Sequence, residues 1–117
     1  LVALVAVLAL GVGLVGGGIA AYAQALSAAD AAALAAAPVT FHPFGAAGSP
    51  ASEAERFAQL NGARLVRCSC QIDESWNART VEVLVVRVIV LPVVGSVRIP
   101  AMSRATFEPA ALLADPP

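Results

Sequence analysis

The chain has 117 residues, 59% of them hydrophobic, with a mean hydropathy of +0.81 and a net charge of −1 from 7 basic and 8 acidic residues. An average this apolar excludes an ordinary soluble domain built from the whole length. The near-neutral charge argues against nucleic acid or an anionic membrane surface as a partner, because both demand a basic patch.

Leu1–Ala37 contains no proline and a single charge, Asp30, and everything before Gln24 is uncharged. This pattern predicts one long helix of about 55 Å, longer than the hydrocarbon core of a bilayer. Its last third places Gln24, Ser27 and Asp30 on one polar stripe and Ala25, Leu26, Ala29, Ala33 and Leu34 on an apolar face. Glycine is costly inside a helix, yet Gly11, Gly13, Gly16, Gly17 and Gly18 cluster here. Gly13 and Gly17 form GxxxG, and the pairs Gly16/Ala20 and Gly17/Ala21 extend the small-residue rows that let helix backbones approach closely. A glycine-rich single span and a local unwinding at Gly16–Gly18 are the alternatives. A rival for the whole start is a cleavable signal ending at Ala21-Tyr22-Ala23, although strong helix formers continue to Ala37. The first basic residue is Arg56, and a span with no basic residue close behind it favours an exported head.

About 80 residues remain beyond this helix, enough for one small core. Pro38 is expected to end the helix, and Pro38–Pro50 reads as a linker fastened by Phe41 and Phe44. Ser52 with Glu55 forms a capping box for a short helix, Glu53–Asn61, with Ala54, Phe57, Ala58 and Leu60 inward and Gly62 as its stop. The run ARLVRCSCQI alternates as a half-buried strand with Val66, Cys68, Cys70 and Ile72 on one face. Asp73–Ala78 is a polar turn. Thr80–Leu91 is a strand apolar on both faces, so both should be covered, in part by the long helix or by a neighbouring subunit. Pro92–Gly95 turns the chain into Ser96–Phe107, an edge strand because Pro100 interrupts it. The fold class is therefore α+β: a stalk helix over 1–37, a linker over 38–51, a head over 52–108 with about three antiparallel strands, and a loose tail over 109–117.

Residues that carry chemistry are few. His42 sits in a Phe-His-Pro loop with no nucleophile–acid pattern around it. Cys68 and Cys70, two apart on a strand, read first as a buried thiol pair; a bond to another chain or to each other, and a zinc site completed by His42, are the alternatives. Glu53 and Glu55 belong to the helix cap, Asp73 and Glu74 to a solvated turn, and Trp76 is a lid on the local core or an exposed contact residue. The glycine run lacks the Lys and strand context of a phosphate cradle. No catalytic, cofactor-binding or metal-binding residue is expected, and neither a cofactor nor a small-molecule substrate.

The succession of an apolar helix, AAYAQALSAADAAALAAA, NGARLVRCSC and TVEVLVVRVIVLPVVGSVRIPAMSRATFEP resembles the small TadE-like proteins of actinobacterial tight-adherence (type IV-like) pilus loci. The most specific parts are Ala28–Ala37 and Asn61–Cys68. The resemblance implies a minor pilin or pseudopilin that waits in the membrane as a single-pass protein with an exported head and then enters a surface filament. Its partners would be other pilin-like subunits, the pilus assembly machinery and, before assembly, membrane lipid. Two features depart from the family: no acidic residue precedes Asp30, and no further Cys occurs in His42–Ser52. The competing class is a membrane-anchored exported domain that binds a protein partner without entering a filament.

Overall fold

The computed structural model describes residues 2–44, 46 and 48–113, with the side chains of 2 and 9–16 left aside. The elements follow as α1 (Val2–Val39), α2 (Pro50–Leu60), β1 (Arg64–Ser69), β2 (Arg79–Leu91), β3 (Gly95–Phe107) and a short 3-10 helix at Pro109–Leu113. The strands form an antiparallel meander in the order β1-β2-β3. The fold is the α+β arrangement that the sequence predicts, drawn out to 67 × 32 × 19 Å by the length of α1.

The core forms where the second half of α1 crosses the sheet. Ala25, Ala28, Ala29, Ala32, Ala33 and Ala36 are all fully buried. Their spacing of three, four and seven residues draws one stripe down the helix. Val81, Val83 and Val85 of β2 and Ala101 and Ala105 of β3 face that stripe, and Ala54 and Ala58 of α2 join the same cluster. Methyl-sized side chains let the helix backbone lie close to the sheet, so the valines fill the remaining space. Burying each of those valines contributes about 1.5–3 kcal/mol. The apolar face expected of α1 is right at Ala25, Ala29 and Ala33 and partly right at Leu26, but Leu34 is 68% exposed. The face is made of alanines because only they fit between sheet and α2.

Helix ends differ by a few residues from expectation. α1 runs past Pro38 to Val39. A proline in the last turn costs less than one in mid-helix, since the helix ends before further ladder bonds are lost. The Pro38 carbonyl accepts from the Phe41 and His42 amides at 3.1 Å each, which closes the helix. α2 starts earlier than the expected capping box. Ser49 is the N-cap, its Oγ accepting from the Ser52 amide at 3.1 Å, with Pro50 in the first turn. Glu55 is thereby freed from a capping role and accepts from the Leu65 amide at 2.8 Å, tying α2 to the start of β1. Gly62 adopts φ +79 after the Asn61 cap, as a helix stop requires.

The inward face of β1 is a second correction. Leu65 pairs with Val85 and Cys68 with Val83, but the register shifts between Leu65 and Arg67. Val66 is the extra residue of a bulge, which reverses the alternation. Of the four residues expected inward, Cys68 and Cys70 pack on the core as read, whereas Val66 and Ile72 are 55% and 67% exposed and Leu65 packs inward instead.

The two faces of the β2–β3 hairpin also differ. The inner face lies on α1. On the outer face Val86 is sheltered opposite Arg64 and Pro100, whereas Val88, Val90 and Met102 are exposed. Within one chain, α1 covers a single side of the sheet. The segment after β3 begins with a buried Pro109.

Ala33→Leu is expected to lower stability by about 1–3 kcal/mol, because nothing around it can give way. Leu34→Ala, on the opposite side of the same turn, should change it by less than about 0.5 kcal/mol. Urea unfolding midpoints of the two variants in detergent check this.

Candidate functional site

One exposed apolar surface among the described residues is α1 before the head begins. Leu4, Val5, Val7 and Leu8 are each about 60% exposed, and Ile19 is 66% exposed. Among the described residues, these side chains are left open to their surroundings by the rest of the chain. Among the described residues, one N-terminal helix is long and apolar enough to cross a membrane; the stretch so defined is Gly17–Val39, 39% buried within the fold. That buried share is the alanine stripe in the head. The outward Leu and Val side chains lie earlier on the same helix, clear of the sheet.

The small-residue rows on α1 divide between two environments. A side chain at Gly17 would meet Leu91 of the hairpin at 3.7 Å, and Ala21 is 4% exposed against the head. Ala20 faces outward, and Gly18 has open space beside it. Gly13 and Gly16 lie outside the residues whose surroundings are described.

A second surface is the outer face of the sheet. Leu84, Val86, Val88 and Val90 of β2 lie beside Met102, Pro100, Arg98 and Ser96 of β3. Toward the other end Glu82 accepts from Arg104 at 2.7 Å and lies 3.7 Å from Arg67. Such exposed pairs contribute up to about 1 kcal/mol each, so they mark charge on this face more than they stabilise it. Inside the hairpin, Arg87 reaches back to donate to the Gly62 carbonyl at 3.0 Å, and a Cβ at Gly62 would run into its guanidinium.

The turn between β1 and β2 is organised by a residue that the sequence did not single out. The Arg79 guanidinium donates to the carbonyls of Asp73, Ser75 and Asn77. It also stands 5.8 Å from the centre of the Phe41 ring. Phe41 packs 4.9 Å from Trp76 and 6.3 Å from both Phe44 and Phe107. Trp76 thus covers this aromatic group while remaining half exposed. An arginine directly behind the polar turn Asp73–Ala78, with Trp76 inside that turn, was the available signal. Asp73 belongs to the same turn. Hydrogen bonds from Ser75 hold its carboxyl below the ordinary value of 3.8, with desolvation opposing and the Arg79 charge adding to the shift.

Cys68 and Cys70 are bonded to each other, with Cα atoms 5.4 Å apart, so the disulfide is the alternative realised here and the thiol pair is not. The bond sits at the end of β1, where the chain leaves the strand before Cys70. Both sulfurs are committed to it and do not serve as thiolates for a metal. His42 Nδ1 instead accepts from the Phe44 amide at 3.4 Å. Among the described residues there is no group of three or more His, Cys, Asp or Glu side chains able to hold a metal ion.

Two clefts flank the core. One of about 660 Å³ lies between α1, α2 and the linker, lined by Leu34, Pro38, Phe44 and Phe57 with the Glu53–Arg56 pair among its walls. The other, about 370 Å³, lies between Thr40, Cys70, Asp73 and Arg79. The first is an open apolar trough and the second is the hollow of the Arg79 turn; neither sets a nucleophile against a base.

Because Asp73 titrates lower in the folded chain, its contribution is fully present above pH 3.8 and is lost as pH falls through the depressed value. The emission of Trp76, the single tryptophan, is expected to change in that acid range in the native chain, and Asp73→Asn should abolish that step. Alkylation of the denatured chain without reductant should leave Cys68 and Cys70 unmodified; labelling of both would contradict the bond.

Comparison of the chain with protein-family models, with curated proteins and with solved structures finds no match in any of the three.

Proposed function

We propose that the chain is a pilin-like subunit, a minor pilin or pseudopilin of a tight-adherence or other type IV-like pilus or secretion system, acting by assembly and not by catalysis. The observation that carries this reading is the apolar helix that outruns its own head. Among the described residues, its outward side chains at Leu4, Val5, Val7, Leu8 and Ile19 are exposed and are suited first to lipid and then to the stalks of other subunits. The subunit would be held in the cell membrane by this one helix with the head exported, and would leave lipid when it joins a filament at the cell surface. Other pilin-like subunits and the assembly machinery are its partners.

Among the described residues of the small-residue rows, Ala20 remains turned outward once the head has engaged Gly17 and Ala21. Together with Gly16, one turn earlier in the sequence, it forms the row proposed to meet a neighbouring stalk. A second reading is favoured by that same engagement. If the head occupies most of the small-residue row, the helix is an anchor, and the exposed outer face of the sheet around Val88, Val90 and Met102 receives a protein partner outside any filament.

Ala20→Leu separates the two. Leu fits the exposed side of the helix without disturbing the head, so membrane insertion should be unchanged, while recovery of the chain in sheared surface filaments should fall. Equal recovery of variant and native chain would remove the Ala20 contact, and absence of the native chain from filaments would favour the anchored domain.

A further inference from the structure

We infer that the tip of the β2–β3 hairpin enters the lipid bilayer beside α1, so that the head is held to the membrane by two apolar elements and in one orientation. The inference rests on the proposed membrane anchoring of α1.

The sequence of the tip is the first ground. Between Arg87 and Arg98 the chain reads VIVLPVVGSV, with no charge and Ser96 as its one polar side chain. A hairpin end in water is normally built from Gly, Asn, Asp and other polar residues. Here Val88, Val90, Val93 and Val94 are 56%, 77%, 90% and 60% exposed. Val93 adds a sharper point. It holds φ +72, a conformation that β-branched residues rarely adopt and that Gly, Asn or Asp fill with less strain. A valine there is unfavourable both for the backbone and for exposure to water. Immersion in hydrocarbon removes the second cost.

The position of the tip is the second ground. Leu91, the last residue of β2, reaches the helix at Gly17, where a Cβ would lie 3.7 Å from its Cδ2. The tip therefore ends against the uncharged part of α1 and continues its outward apolar surface. Tyr22, 53% exposed, lies five residues further along α1 and about 7 Å closer to the head. Half-exposed tyrosines are suited to the headgroup level. With Tyr22 at that level the tip dips about 5–10 Å below it, the depth typical of interfacial apolar elements. Arg98 then stands about 10 Å up its strand from Gly95, back at the headgroups, where a long cationic side chain reaches water or phosphate. The hydrogen bond that the Ser103 hydroxyl donates to the Asp30 carboxylate fixes helix and hairpin together further up, so the two enter as one unit.

The test uses the full chain in phosphatidylcholine vesicles carrying a lipid-borne spin-label quencher. An environment-sensitive fluorophore is attached in turn at Leu8→Cys on α1, at Val94→Cys on the tip and at Ala110→Cys at the opposite end of the head, with the native disulfide left oxidised. Val94 and Ala110 are exposed, so labelling leaves the fold intact. The expected result is strong quenching and a blue shift at positions 8 and 94, and neither at 110. Adding Val93→Asp to the 94 probe should abolish its quenching, while far-ultraviolet circular dichroism stays native because Asp tolerates the positive φ. Quenching at 8 with none at 94 overturns the inference and leaves the anchor standing. Equal quenching at 94 and 110 overturns it as well, since the head then lies on its side. No quenching at 8 removes the anchor, and the inference with it.

Discussion

The contact on which the molecule depends is the alanine stripe of α1 laid on the valine face of β2. Fully buried alanines at Ala25, Ala29, Ala32, Ala33 and Ala36 meet Val81, Val83 and Val85, themselves at most 1% exposed. A three-stranded meander on its own has one apolar face and nothing to bury it against. The helix supplies that cover, and α2 closes the other side of the helix through Ala54 and Ala58. Small side chains are the condition for this: a wider residue anywhere on the stripe would push sheet and helix apart along their whole contact, because both are stiff elements.

One consequence is a division of labour along a single helix. The same element that forms the centre of the head also provides the apolar rod beyond it, with no joint between the two. One unbroken helical backbone therefore couples the rod to the sheet. The exposed hairpin tip extends this coupling, because Leu91 lies against Gly17 at the boundary between the two parts of the helix. Around this frame the remaining fastenings are local. Glu55 ties α2 to the start of β1, and Arg79 gathers the carbonyls of the Asp73–Asn77 turn beneath Phe41 and Trp76. They set loop geometry without adding a catalytic arrangement.

Much of the architecture was legible in the residues. The long apolar run, Pro38 near its end, Gly62 after Asn61 and the β-branched Thr80–Leu91 each report a local preference, and local preferences need only the neighbours in the chain. What was missed involved partners far away in sequence. On β1 the inward positions at Cys68 and Cys70 were right, but Val66 was misplaced because its bulge depends on pairing with β2, which no alternation within β1 can show. Glu55 was read as a cap, whereas its bond is to Leu65, ten positions on, across a turn. Arg79 was passed over because its contact with Phe41 joins positions far apart in sequence, although its bonds to the turn carbonyls are local.

The amino-acid order by itself determined the helix, the strands, the apolar length of α1 and the scarcity of chemically active groups, since propensity, periodicity and charge act over a few residues. Tertiary structure alone decided which alanines became core, which described small residues of α1 stayed outward, that Cys68 and Cys70 close on each other, and that Leu91 of the hairpin meets the helix at Gly17. Those outcomes depend on how a stiff helix and a twisted sheet share one limited contact, and that geometry is a property of the packed pair.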